Sequence, residues 1–76
     1  LPKETERTAR ELLENAKRAN VHSGKSPVGL AAAALYAAAQ LTNEELTQAD
    51  VSEVTDISEV TIRNRYQELL EAWERQ

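Results

Sequence analysis

Apolar positions along the chain recur at intervals of three and four residues, and no window shows the period-two alternation of a strand. Ala9, Leu12, Leu13, Ala16 and Ala19 make one narrow stripe, the spacing of a helix that buries a single face. The spacing predicts a first helix from about Lys3 to Asn20. Pro2 suits its start, Glu4 and Glu6 favour the first-turn dipole, and Lys17 and Arg18 favour the last turn. Glu14 precedes Arg18 by four residues, a surface pair worth about 0.3 kcal/mol.

Asn20-Val21-His22-Ser23-Gly24-Lys25 reads as a loop in which Gly24 is free to take positive φ. Ser26 then caps a second helix, and Pro27 takes its first position, where the missing N–H costs nothing. This helix, about Ser26 to Leu41, contains VGLAAAALYAAAQL and no charge. A helix apolar all round is expected to be enclosed by others. Its seven alanines between 31 and 39 keep it thin, while Leu30, Leu35, Tyr36 and Leu41 supply volume. It reads as the central strut of a bundle.

Leu41 to Leu46 is a polar connector. Thr47 caps a short third helix, about Thr47 to Val54, with Asp50 in the reciprocal place of a capping box and Leu46 and Val51 in staple positions. After Thr55-Asp56-Ile57, Ser58 caps a fourth helix running to about Arg75, and Ile57 with Ile62 repeats the staple. Ile62, Tyr66, Leu69, Leu70 and Trp73 form its inner face. The expected fold class is all-α, with four helices, no strand and no internal repeat.

Composition narrows the chemistry. Seventy-six residues, 41% hydrophobic and 29% charged, fit one small globular unit rather than a disordered chain. Such a unit hides only about 60% of its extended surface, so its stability margin is thin. The absence of cysteine excludes disulfides, thiolate zinc sites and a cysteine nucleophile, and His22 alone builds no His-rich metal centre. No secretory signal, lipid anchor or apolar run of membrane-spanning length stands out, so a soluble protein is expected. No carboxylate pair or Ser/His arrangement suggests catalysis, and neither a cofactor nor a metal is expected.

Charge is unevenly divided. Residues 1–46 hold six basic and six acidic side chains, whereas residues 47–76 set three arginines against seven acids, giving the chain its net −4. A polyanion is repelled overall, which any nucleic-acid reading has to answer. Lysines are confined to Lys3, Lys17 and Lys25, and an acid-rich, lysine-poor balance is compatible with solubility in concentrated salt.

Residues 47–69, TQADVSEVTDISEVTIRNRYQEL, fit a helix-turn-helix, in which the second helix presents one face to a major groove. Ser52 is small where the two helices approach, and Val51, Val54, Ile57 and Ile62 can form the wedge between them. Asp56 stands at the tight turn where glycine is commonest, and aspartate tolerates left-handed φ. With Ile62, Tyr66, Leu69 and Trp73 inward, Glu59, Val60, Arg63, Asn64 and Gln67 lie on or near the outer face. Arginine can fork onto guanine, asparagine and glutamine can pair with adenine, and valine can touch a thymine methyl. Arg65, to one side, suits a phosphate. The competing structural explanation is a helical hairpin in any bundle, its polar face merely solvated.

Other features favour structural explanations. Gly24-Lys25-Ser26 looks like the end of a phosphate loop, but the upstream glycine and preceding strand are missing, so a turn and helix cap account for it better. Lys25 can still reach a phosphate beside the second helix's N-terminus. Tyr66 and Trp73 could stack on bases, yet their spacing with Leu69 and Leu70 reads as core.

The tokens Gly24-Lys25-Ser26-Pro27, the Ala-Ala-Ala-Ala-Leu-Tyr block (31–36), Thr47-Gln48 and Glu59-Val60-Thr61-Ile62-Arg63-Asn64-Arg65-Tyr66 occur in order over more than half the chain. In these tokens it resembles the second cyclin-like repeat of the archaeal general transcription factor B family, counterpart of eukaryotic transcription factor IIB. The resemblance implies a cyclin-like helical bundle ending in a helix-turn-helix. Residues 1–76 would be a single partial repeat, one helix short, with the helix-turn-helix at 47–75.

The resemblance further implies a clamp on promoter DNA and TATA-binding protein, with the helix-turn-helix reading the B recognition element upstream of the TATA box. It puts Val60 and Arg63 on base edges. It makes Thr47, Gln48, Thr61, Asn64 and Arg65 backbone or flanking contacts, and lets Lys25 and Ser26 reach phosphate. RNA polymerase would be engaged only through the zinc ribbon and other parts that this chain lacks, making it a fragment. A cytoplasmic, nucleoid-associated location follows. The alternative is a cyclin-like interaction module that docks on TATA-binding protein or another partner, with DNA contact incidental.

Overall fold

The computed structural model describes residues 2–75. Among them are four helices and no strand: α1 (Lys3–Arg18), α2 (Pro27–Leu41), α3 (Gln48–Thr55) and α4 (Glu59–Glu74). The boundaries follow local hydrogen bonding. Ser26 Oγ accepts from Gly29 N at 3.3 Å, with Pro27 in the first turn. Thr47 and Asp50 form a reciprocal capping box, both bonds 3.0 Å. Ser58 Oγ accepts from Thr61 N at 3.2 Å and starts α4.

Asparagine decides where α1 and α2 stop. Asn20 and Asn43 take φ of 60° and 63°. Val21 N then donates to Ala16 O and Asn20 N to Lys17 O, while Glu44 N donates to Ala39 O and Asn43 N to Gln40 O. Both are Schellman closures, with asparagine filling the left-handed position that glycine usually takes. The first helix therefore ends at Arg18, ahead of the expected Asn20, and Ala19 at its cap is exposed. Gly24 has φ 74° and turns the loop into the Ser26 cap as expected.

α2 packs against all three other helices, and α1 also packs against α4 and α3 against α4. Six of its alanines are buried, and short side chains let the neighbours approach closely. Ala33 and Ala34 join Leu30, Ala16 and Leu69 in one cluster, and Ala37 and Ala38 join Leu12 in a second, flanked by Tyr66 and Trp73. A third sets Ala32, Val51 and Ile62 against Tyr36, Leu46 and Ile57, uniting both staples. The Tyr36 and Tyr66 rings meet edge to face at 4.9 Å. Both Tyr66 and Trp73 are packing residues, as their spacing predicts.

One buried polar link locks the antiparallel α1–α2 pair. Thr42 Oγ1 donates to Ala38 O at 2.8 Å, leaving it to accept from the fully buried Thr5 Oγ1 at 2.8 Å.

Four expectations are corrected. The central helix is not enclosed: Val28 is 56% exposed and Leu41 47%, and Ala31 is exposed. The Cα trace spans 27 × 24 × 15 Å; helices about 10 Å wide leave the thin direction only two layers deep. Val54 does not join the wedge. It is 80% exposed, because α3 has only two turns and Val51 alone points into the core. Ala72, absent from the expected α4 face, is buried. Finally, Glu14–Arg18 is not among the ion pairs of the described residues.

Candidate nucleic-acid interface

The start of α4 is held by polar and apolar contacts together. Ser58 Oγ accepts from Thr61 N and donates to Thr61 Oγ1 at 3.1 Å, and Ile57 N donates to Thr55 Oγ1 at 3.3 Å. Asp56 supplies the reversal between α3 and α4, with φ 61°, ψ 26° and its N–H on Ser52 O at 2.8 Å. Fully buried Ile62 then fixes the rotation of α4 about its axis. Glu59, Val60, Arg63, Asn64 and Gln67 consequently face solvent, as the helical spacing predicts. Val60 is 54% exposed beside the long polar side chains. Such a ridge presents an apolar methyl pair, a guanidinium fork and two amides, the groups that major-groove edges recognise.

Thr61 lies differently. It is half-buried against α2, and a Cβ built on Gly29 would stand 3.5 Å from Thr61 Cγ2, so the two helices come close there. Its hydroxyl already receives the Ser58 bond. Ser26 and Thr47 are exposed, with each hydroxyl engaged in its own cap. Gln48 is half-buried and lines an open cleft of about 740 Å³ with Tyr36, Glu44, Glu45, Asp50 and Glu59. Four carboxylates, those of Glu44, Glu45, Asp50 and Glu59, share that cleft with apolar and uncharged side chains.

Lys25 and Arg65 are brought together by a residue that sequence reasoning missed. Lys25 Nζ lies 2.8 Å from Glu68 Oε1, and an Arg65 terminal nitrogen lies 3.2 Å from the same oxygen. Arg65 is half-buried, and its Nε is buried without an acceptor. Arg63, by contrast, makes no ion pair among the described residues. The Arg65–Glu68 half of the bridge has a sequence signal, the i,i+3 spacing on one helix. Nothing local signals Lys25, 43 residues from Glu68. No group of three or more His, Asp or Glu side chains suited to a metal occurs among the described residues, and no helix there is long and apolar enough to cross a membrane.

A strandless set of four helices around an alanine-rich central one, closed by a short helix, a tight turn and a longer amphipathic helix, is a cyclin-like helical fold. The Transcription factor TFIIB repeat family matches residues 1–72, and the chain belongs to that family. It is 70% identical over 74 residues to Transcription initiation factor IIB 2 of Halobacterium salinarum, covering 97% of this chain and 23% of that protein. It is 72% identical over 71 residues to Transcription initiation factor IIB 2 of Haloferax volcanii, covering 93% and 21%. Identity to Transcription initiation factor IIB of Pyrococcus horikoshii is 54% over 71 residues, covering 93% and 24%. The chain thus spans under a quarter of the length of these three relatives.

Proposed function

We propose that this chain is a DNA-reading segment of an archaeal general transcription initiation factor. In this reading residues 1–76 form one partial cyclin-like repeat, and residues 47–75 act as a helix-turn-helix. α4 lies in the major groove at the B recognition element upstream of a TATA box, and the chain helps assemble the initiation complex with TATA-binding protein. The observation that carries the reading is the solvent-facing Val60–Arg63–Asn64 ridge on α4, in a member of the transcription factor IIB repeat family.

Arg63 donates two parallel N–H bonds to guanine O6 and N7, Val60 rests on a thymine methyl, and Asn64 pairs with an adjoining adenine edge. Thr47, Gln48, Thr61 and Ser26 flank this ridge and fix its register on the sugar–phosphate backbone, with Lys25 and Arg65 nearest the phosphates. The role is non-enzymatic and needs no cofactor. RNA polymerase is met through other parts of the full-length factor, and the chain works in the cytoplasm on nucleoid DNA.

An NMR titration of the chain with a promoter duplex tests the reading. Shifts are expected to gather on residues 58–67. Shifts gathered instead on Val28, Leu41 and Val54, or none on α4, overturn it.

Those three exposed apolar side chains favour a second reading, a helical module that docks on TATA-binding protein with DNA incidental. A gel shift with promoter DNA, with and without that protein, separates the two. Binding to bare duplex supports the first.

A further inference from the structure

On α4 and the loop facing it, the basic side chains are divided between paired and unpaired. Arg75 reaches Glu71 at 3.6 Å, and Arg65 and Lys25 converge on Glu68 at 3.2 and 2.8 Å. Arg63, pointing from the outer face, has no carboxylate partner among the described residues. The segment's cationic charge is therefore free on Arg63, the side chain assigned above to base edges, and engaged on Lys25 and Arg65, the side chains assigned to phosphates.

Sequence-independent DNA affinity comes almost wholly from cations that meet phosphates and release counterions, each adding about 0.9 to the slope of log affinity against log salt. A cation held 3 Å from a carboxylate makes a poor phosphate ligand, because approach of a phosphate also brings it up against the carboxylate. Glu68 thus leaves a two-cation cluster with one net positive charge. It acts across the fold, since Lys25 precedes α2 and Glu68 lies in α4. Arg65 Nε is buried with no acceptor, an unmet donor that gains by swinging outward once Glu68 ceases to hold the guanidinium.

We propose that Glu68 is a specificity-determining residue: by engaging Lys25 and Arg65 it withholds their charge from the DNA backbone, so that discrimination rests on the bases read by Arg63 and Val60. The inference depends on the DNA-reading assignment above. It also explains how an acidic chain serves as a DNA reader, with little indiscriminate phosphate binding to swamp the base contacts.

Glu68→Gln keeps the side-chain shape and removes the charge. Affinities of both proteins for a promoter duplex and a scrambled duplex are measured by fluorescence anisotropy over a salt series, with thermal melts alongside. The variant is expected to bind scrambled DNA more tightly at low salt, with a slope steeper by about 1 to 2, so that affinity falls an additional ~4- to 16-fold between about 50 and 200 mM salt. The ratio of promoter to scrambled affinity should shrink. An unchanged slope and ratio with a lowered Tm would show Glu68 to be a packing contact only and overturn the proposal.

Should the variant not fold, the unaltered chain still decides. Masked cations predict a slope no steeper than about 2, and a steeper one overturns the masking. Failure of the unaltered chain to distinguish the two duplexes at any salt is a different result, which removes the DNA-reading assignment itself.

Discussion

Arg63→Ala separates base reading from backbone anchoring. Arg63 is exposed and makes no ion pair among the described residues, so truncation removes no buried contact and leaves stability within about 0.5 kcal/mol. An unfolding entropy of about 0.16 kcal/mol/K for a chain of this length turns that into a Tm change below about 3 °C. Loss of a bidentate guanine contact costs about 1–3 kcal/mol, or about 5- to 150-fold in affinity at 1.4 kcal/mol per decade. That loss should appear on the preferred promoter duplex alone, with base preference flattened at one position. Anisotropy against single-position variants of the duplex, with a thermal melt as control, reads both quantities. Equal loss on scrambled DNA refutes the reasoning, because it means Arg63 meets phosphate and some other side chain selects the base.

Two stability predictions accompany it. Asp56→Gly relieves a non-glycine residue at φ 61°; it should add about 0.5–1 kcal/mol, seen as a Tm about 3–6 °C higher, and a lower Tm contradicts the left-handed turn. The chain itself should be marginal in dilute buffer: residues 47–76 hold three arginines against seven acids, and salt screens their self-repulsion. A calorimetric scan should show Tm rising with added salt, and a cooperative melt above about 70 °C in dilute buffer contradicts the thin core.

Much of the fold is legible along the chain because helix boundaries are local chemistry. Ser26-Pro27, Thr47 with Asp50, and Ser58 are read as starts from their side chains, and each forms the bond that a start requires. Asp56 is legible as the left-handed turn for the same reason. The stop of α1 before Asn20 is less so, since asparagine signals left-handed φ more weakly than glycine does, whereas α2 ends at Leu41 as its apolar run predicts. On α4, the three-and-four spacing of Ile62, Tyr66 and Leu69 already implies that Val60, Arg63 and Asn64 point outward.

Sequence alone therefore determined the four helices, the caps that start α2, α3 and α4 and the outward face of α4, because each depends on bonds or spacings within a few residues. Only the tertiary arrangement decided which apolar side chains are covered and which charges are free. Val54 and Leu41 are apolar by type but stay exposed, since nothing in the described residues packs over them. Lys25 and Arg65 are cations by type, but the packing of α2 against α4 sets both on Glu68 and leaves Arg63 without an ion pair among the described residues. Burial and charge pairing across 43 residues depend on how rigid helices dock, a property of several elements at once that no local window contains.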